Sequence, residues 1–394
     1  MLDKVFTSRL YYRACTLVLF ALAAAASFNG FYRQSHFSEA KVPGAWYRAE
    51  FQAMVDGTAY RPYVYRQMLP TIANRLDRTV PDSIKTRLYD RQGTYPSAYI
   101  NATAESPTAS NKVYFFRYLF VYMATYIFAV LAVYAMYLVC TALNLPPAAA
   151  VFAPVIIILL VPFVMSGGGY FYDYPELAFL ALAVWVALKF DWWWMIPLAA
   201  LATWNKESFL LFIPTLYPIF RLRSSRLVSL VGVGVLCLVS LAVYFPIRLA
   251  FAHNPGSTVV FSWPDELQYL RHPRDLITLT KPIYDVPMLA SYTIIPGLLF
   301  LWTALRGWRL LPSAIKRHGQ IAAAINIPLY LLFVEPGKLR DLSMLYIVFL
   351  LLLAVNMKEW INSSEPPKSL QEANALPPDS LHLQIPASNG SKRA

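Results

Sequence analysis

The sequence predicts an all-α fold, a polytopic transmembrane helical bundle, and three observations carry that prediction. Hydrophobic residues make up 57% of the 394-residue chain and charged residues only 14%, against about 25% charged in soluble proteins. The apolar residues come in long blocks separated by short polar stretches rather than alternating with them. Aromatic residues reach 15%, and the rings of Trp and Tyr settle where lipid meets water. The net charge of +12 would elsewhere suggest nucleic acid. Here many of the basic residues flank apolar blocks, where they set orientation and meet anionic lipid, so the expected partner is the membrane and not nucleic acid.

The first apolar block, Ala14–Phe31, follows Lys4, Arg9 and Arg13. A basic start, an apolar stretch and the Ala23–Ala26 run also describe a signal peptide, but no clear cleavage motif leads into a soluble domain, so an uncleaved span is expected. Further blocks cover Tyr118–Leu143, Pro147–Met165, Pro175–Phe190, Trp192–Trp204, Phe209–Phe220 and Leu227–Ala252. Val286–Leu305, Ile321–Val334 and Leu342–Met357 complete the set. About ten spans result, at about 20 residues for a full crossing and fewer where a helix is broken. The blocks on either side of Asn205-Lys206-Glu207-Ser208 are short, either two half-crossings that meet at a polar turn or one interrupted span.

Basic residues in short loops mark the cytoplasmic side. Arg221, Arg223 and Arg226 form one such cluster, and Arg306, Arg309, Lys316 and Arg317 another. Ten spans place both clusters and both termini in the cytoplasm and leave residues 32–112 as an extracytoplasmic loop. Residues 1–357 then form an integral-membrane domain. Residues 358–394, whose last part is rich in Pro, Ser and Asn, form a disordered cytoplasmic tail. Cys15, Cys140 and Cys237 all fall in apolar blocks and read as small buried hydrophobes with no disulfide framework. That absence, with compact outer loops, fits a bacterial inner membrane.

In the first loop, residues 50–56 and Met68–Thr79 place apolar residues at helical spacing, a pattern that suits amphipathic helices lying on a membrane. Between them Tyr60–Arg66 mixes tyrosine and arginine in an extended stretch. Arginines can bind phosphate bidentately beside stacking tyrosines, or snorkel from an aromatic belt. The outward face also collects Asp173 and Glu176, Asn205-Lys206-Glu207, Asp265 and Glu266, and Glu335 through Asp341. Asp173, Pro175 and Glu176 equally suit the start of a helix. Acids and bases gathered on one face, at the ends of many helices, suggest a polar cavity at the outer leaflet, because ionisable groups at membrane depth normally pair or serve function. The five histidines are scattered without a metal-ligand spacing, and no Gly-x-Ser-x-Gly element marks a covalent hydrolase.

A short N-terminus, one span and a large outer loop with surface helices and acids make an arrangement that resembles the GT-C superfamily of integral-membrane glycosyltransferases. Tyr63-Val64-Tyr65-Arg66-Gln67-Met68-Leu69-Pro70, Asp173-Tyr174-Pro175 and Asn205-Lys206-Glu207-Ser208 carry the likeness. It covers residues 1–357 as architecture. The resemblance implies a polyprenyl-phosphate-linked sugar donor, transfer to a glycan, lipid or protein acceptor at the outer leaflet, and an outer-loop acid as general base. Glu50 and Asp56 are the matching acids. No Asp-Asp or Asp-x-Asp pair accompanies them, so the choice of base and dependence on a divalent metal stay open; no other cofactor is expected.

The chemistry asks for a carboxylate to take the proton of the attacking hydroxyl and for cations to stabilise the leaving phosphate. Arg61, Arg66, Lys206 and Arg340 are the candidate donor phosphate-binding residues, and Asp173, Glu176, Glu207 and Glu335 the cavity acids. An inverting transferase is the first expectation. A polysaccharide polymerase or ligase on lipid carriers is the second, and a transporter or flippase built on helices broken near Gly167–Gly169 and Asn205–Lys206 is the third.

Overall fold

The computed structural model describes residues 2–38, 49–95, 99, 100, 103, 106–165, 169–257, 259, 261–272, 294–334 and 338–364. Among the described residues every regular element is a helix. Apolar segments that water cannot reach must close their backbone hydrogen bonds internally, and a helix does so within one segment.

Helix α1 spans Leu2–Ser35. The first loop carries α2, Phe51–Val55, a 3-10 turn at Tyr63–Tyr65, α3, Met68–Thr79, and α4, Asp82–Asp90. Then come α5, Phe115–Ala142, α6, Pro147–Val164, and α7, Asp173–Lys189. Helix α8, Met195–Asn205, ends at the polar turn, and α9, Phe209–Phe220, starts after it. Helices α10, Arg226–Ala250, α11, Trp263–Arg271, α12, Ile294–Gly307, and α13, Ser313–Phe333, follow. A 3-10 segment, Leu339–Leu345, leads into α14, Tyr346–Ser364.

Among the described residues five helices are long and apolar enough to cross a membrane: Leu10–Ser35 of α1, α5, α6, α10 and Leu339–Ser363. Among the described residues the other apolar blocks form shorter or more polar helices; residues 286–293 of the block Val286–Leu305 lie outside the described residues. Helix α8, with 11 residues, reaches only about 16 Å.

Helix α7 is the centre of the bundle. It packs along α5, against α8, and against parts of α9 and α14. Ala178, Ala181, Ala183 and Ala187 of α7 are buried, as are Ala129, Ala132 and Ala135 of α5. Small residues of this kind let helix backbones approach closely where lipid offers no hydrophobic drive between helices. Gly169, just before α7, is equally constrained: a Cβ there would stand 2.0 Å from the Phe31 ring.

The expected first-loop helices appear, with α3 at Met68–Thr79 and α2 at Phe51–Val55. Arg75 and Arg78 are exposed, while Asp77 is half-buried and pairs with Lys85 at 3.4 Å. Tyr60–Arg66 is not extended. Tyr65 N–H bonds to Pro62 O, and Arg61 N–H bonds to Pro255 O at 2.9 Å, a partner nearly two hundred residues away. Helix α14 continues through residue 364, past the expected tail boundary at 358; the rest of the tail lies outside the described residues. Cys140 is buried and Cys237 half-buried, but Cys15 is exposed on α1.

Candidate functional site

The site begins at the start of α7. Tyr170 N–H donates to Asp173 Oδ2 at 2.8 Å, and the Asp173 and Tyr174 main chain turns straight into the helix. Asp173 and Glu176 therefore sit in the first turn, where carboxylates are favoured by the helix dipole. Both are buried, at 3% and 8% exposure, so they need partners.

Those partners come from two distant segments. Lys206, in the turn between α8 and α9, stands 2.7 Å from Glu176 Oε2 and 3.8 Å from Asp341. Arg340 lies 3.6 Å from Asp341 and 4.0 Å from Asp173. Ser343 and Ser208 donate to Glu176 Oε1 at 2.7 and 3.2 Å. Asn326 of α13 fixes the last segment by donating to Asp341 O at 2.8 Å and accepting from Met344 N–H at 3.2 Å. Asn205 donates to Tyr172 O at 3.0 Å. Charges buried at this depth persist because each is paired and hydrogen-bonded.

Arg66 closes the cluster from the first loop. Its guanidinium donates to the Tyr172 hydroxyl and to Glu207 Oε1 at 3.3 Å. Burial alone would lower its pKa, but Tyr172, Glu207 and Tyr63 raise it well above the usual value, so the group stays cationic. Tyr63 is pushed up by burial and by Tyr170. The rings of Tyr170 and Tyr172 stack 5.0 Å apart. Arg66 lies over Tyr172 and Arg340 over Tyr170, each 4.5 Å from the ring centre. Two guanidinium groups are thereby held at the ends of a stack of two tyrosines.

A cavity of about 520 Å³ opens on this cluster, within the about 300–1,000 Å³ usual for small-molecule sites. Its lining includes the ionic side chains Arg66, Lys206, Glu207, Lys338, Arg340 and Asp341. It also includes the apolar or aromatic Leu210, Leu211, Leu329, Tyr330, Phe333 and Val334. A lining that combines ionic and apolar groups suits an amphiphile with a charged head.

Of the residues expected at the site, the structure brings Arg66, Lys206, Glu207 and Arg340 to the cavity wall, with Asp173 and Glu176 directly behind. Arg61 is elsewhere: its guanidinium donates to Ala252 O at 3.1 Å and Gly256 O at 2.7 Å. Gly256 has φ +93°, and a Cβ there would meet Arg61 O at 2.9 Å. Asp56 accepts from the Tyr114 hydroxyl at 2.5 Å and lies 3.6 Å from Arg117. Glu50 precedes α2, and burial raises its pKa. Neither acid lines the cavity. Glu335 lies outside the described residues. Tyr170 and Tyr172 belong to the run Tyr170–Glu176 that the sequence groups with the outward-face motifs, but it gives them no role, and nothing local in the sequence marks Asn326. Among the described residues no three His, Cys, Asp or Glu are grouped to hold a metal ion.

No protein-family model, curated protein or solved structure matches the chain.

Proposed function

We propose that this is an integral-membrane glycosyltransferase of the GT-C type, taking a sugar from a polyprenyl-phosphate-linked donor to a glycan, lipid or protein acceptor at the outer leaflet. The observation that supports it is a cavity lined both by cations, including Arg66, Lys206 and Arg340, and by apolar side chains. The phosphate would lie on the cations and the first isoprene units along Leu210, Leu329 and Phe333. As the acceptor hydroxyl attacks the anomeric carbon, the bond from that carbon to the phosphate oxygen breaks. The departing charge is stabilised by guanidinium and ammonium groups already in place. The hydroxyl proton goes to a carboxylate. Glu207 and Asp341 face the cavity, whereas Asp56 and Glu50 do not, so the base is drawn from the former pair. In this scheme α7, α8, α9, α12 and α13 join the five longer helices in a bundle of about ten crossings. Both termini lie in the cytoplasm of a bacterial cell, beneath its inner membrane.

Native mass spectrometry of the purified chain tests the donor site. Wild type is expected to retain a polyprenyl phosphate and Arg66→Ala to lose it. One feature favours a second reading, a transporter: the cavity is built on the break between the short helices α8 and α9. Wild type that binds no polyprenyl phosphate, even when it is added, would sink the transferase and favour transport of a soluble solute.

A further inference from the structure

Four cations line the cavity, Arg66, Lys206, Lys338 and Arg340, together with two acids, Glu207 and Asp341. Two more acids stand behind them, Asp173 at 4.0 Å from Arg340 and Glu176 at 2.7 Å from Lys206. Among the described residues the formal charges of the cluster thus cancel. An anion entering such a place brings an uncompensated charge, which is costly away from water. Either a carboxylate gives up its charge or a cation enters as well.

The geometry distinguishes Glu207 from the other three acids. Glu176 is held by Lys206, Ser208 and Ser343. Asp341 lies between Lys206 and Arg340, and Asp173 accepts the Tyr170 N–H. Glu207 meets Arg66 through Oε1 at 3.3 Å, while its Oε2 is buried with no hydrogen-bond partner. Its side chain is 26% exposed, so a proton can reach it from solvent. Arg66 Nε also lacks an acceptor. With Nη2 it forms the edge of the guanidinium that a phosphate grips with two oxygens. The charged and titratable groups around Glu207 are Arg66 and Tyr63 from the first loop, Tyr172 ahead of α7 and Lys206 beside it. Tyr244 with Arg248 on α10, and Lys338, Arg340 and Asp341 after α13, complete the surroundings.

We infer that Glu207 is the exchangeable counter-charge of the phosphate subsite. A phosphate entering on Arg66 displaces its carboxylate, which takes one proton from solvent. Oε2 then carries an O–H and changes from an orphaned acceptor into a donor towards a phosphate oxygen, which leaves Asp341 as the carboxylate that takes the proton of the acceptor hydroxyl. One proton enters with one singly charged phosphodiester, so the charge of the cluster is unchanged. The inference rests on the carrier-lipid function proposed above. Because the proton is taken up on binding, affinity is highest in acid and falls as pH rises.

Titration calorimetry of the full chain in detergent, in two buffers of different ionisation enthalpy, reads the proton count directly. The probe is farnesyl methyl phosphate, a phosphodiester whose single charge is constant over the range used. Wild type is expected to take up about one proton per probe bound and to lose up to about tenfold in affinity per pH unit. In Glu207→Gln the uptake disappears, and at alkaline pH the variant binds more tightly than wild type. Binding to wild type without proton uptake overturns the inference and leaves the carrier-lipid function standing. A Glu207→Gln protein that folds but binds more weakly at alkaline pH overturns it too. Wild type that ignores the probe at every pH overturns both. The proton count is taken on wild type, so it decides even where the variant does not fold.

Discussion

Lys206 stands 2.7 Å from Glu176 with 8% of its side chain exposed. Removing one partner of such a pair leaves the other charged in a buried place, at about 3–5 kcal/mol. Two serines also donate to Glu176, so Lys206→Met is expected at about 3 kcal/mol, the lower end of that range. Adding Glu176→Gln should recover part of the loss, as unfolding in mixed micelles would show; a double variant no better than the single one would mean that the pair is not the unit of stability. Glu50 behaves in the opposite sense. Burial raises its pKa, so the folded chain holds that proton more tightly than the unfolded one. Its contribution to stability is largest in acid and is lost as pH rises through the ordinary glutamate value of about 4.3 and then the raised folded one. Glu50→Gln should therefore gain up to about 0.5 kcal/mol at neutral pH and nothing in acid. A gain of the same size at both pH values would contradict this cause.

Helix α7 shows what elements demand of their neighbours. Gly169 brings the chain onto Phe31, a ring with no exposure and no room to yield. Gly169→Ala is expected to cost about 1–3 kcal/mol, the range for overpacking a filled core. An unchanged melting temperature would show that the chain before α7 can move aside. The helices themselves were legible in sequence because apolar blocks in lipid have one economical backbone solution, and the break at Asn205–Ser208 was legible because its polar residues interrupt that block. The turns at Tyr60–Arg66 were not. Their internal bonds are local, but Arg61 N–H is held by Pro255 O in a distant segment, and no local pattern of residues encodes that bond.

For the whole molecule, the sequence groups acids and bases on one expected face, and the structure brings Arg66, Lys206, Glu207 and Arg340 of that group to one cavity. The grouping did not separate Arg66 from Asp56, Glu50 and Arg61 of the same loop, none of which lines the cavity. Which acid faces a cavity depends on side-chain direction within a three-dimensional packing, and hydropathy carries none of that information. Orientation remains testable by labelling. In a chain whose native cysteines are replaced, Thr94→Cys should react with an impermeant maleimide in intact cells. Arg223→Cys should react only after permeabilisation. The reverse pattern would invert the topology and place the cavity on the cytoplasmic side.

The ionic cluster draws on α7, the α8–α9 turn and the segment before α14, so it is complete only when the last of these has been synthesised. Until then a nascent chain holds Asp173, Glu176 and Lys206 without Arg340 and Asp341. A charge at the centre of a lone helix costs about 2.5–3.5 kcal/mol on entering lipid, and these three, at helix ends, would cost less but still need partners. In the proposed ten-span arrangement, biogenesis would have to keep α7 and α8 beside the insertion machinery, or beside each other, until α14 arrives. A ribosome that stops before residue 338 would deliver a chain fit for quality-control proteolysis, while one that finishes thirty residues later would deliver a bundle able to leave the translocon as a unit.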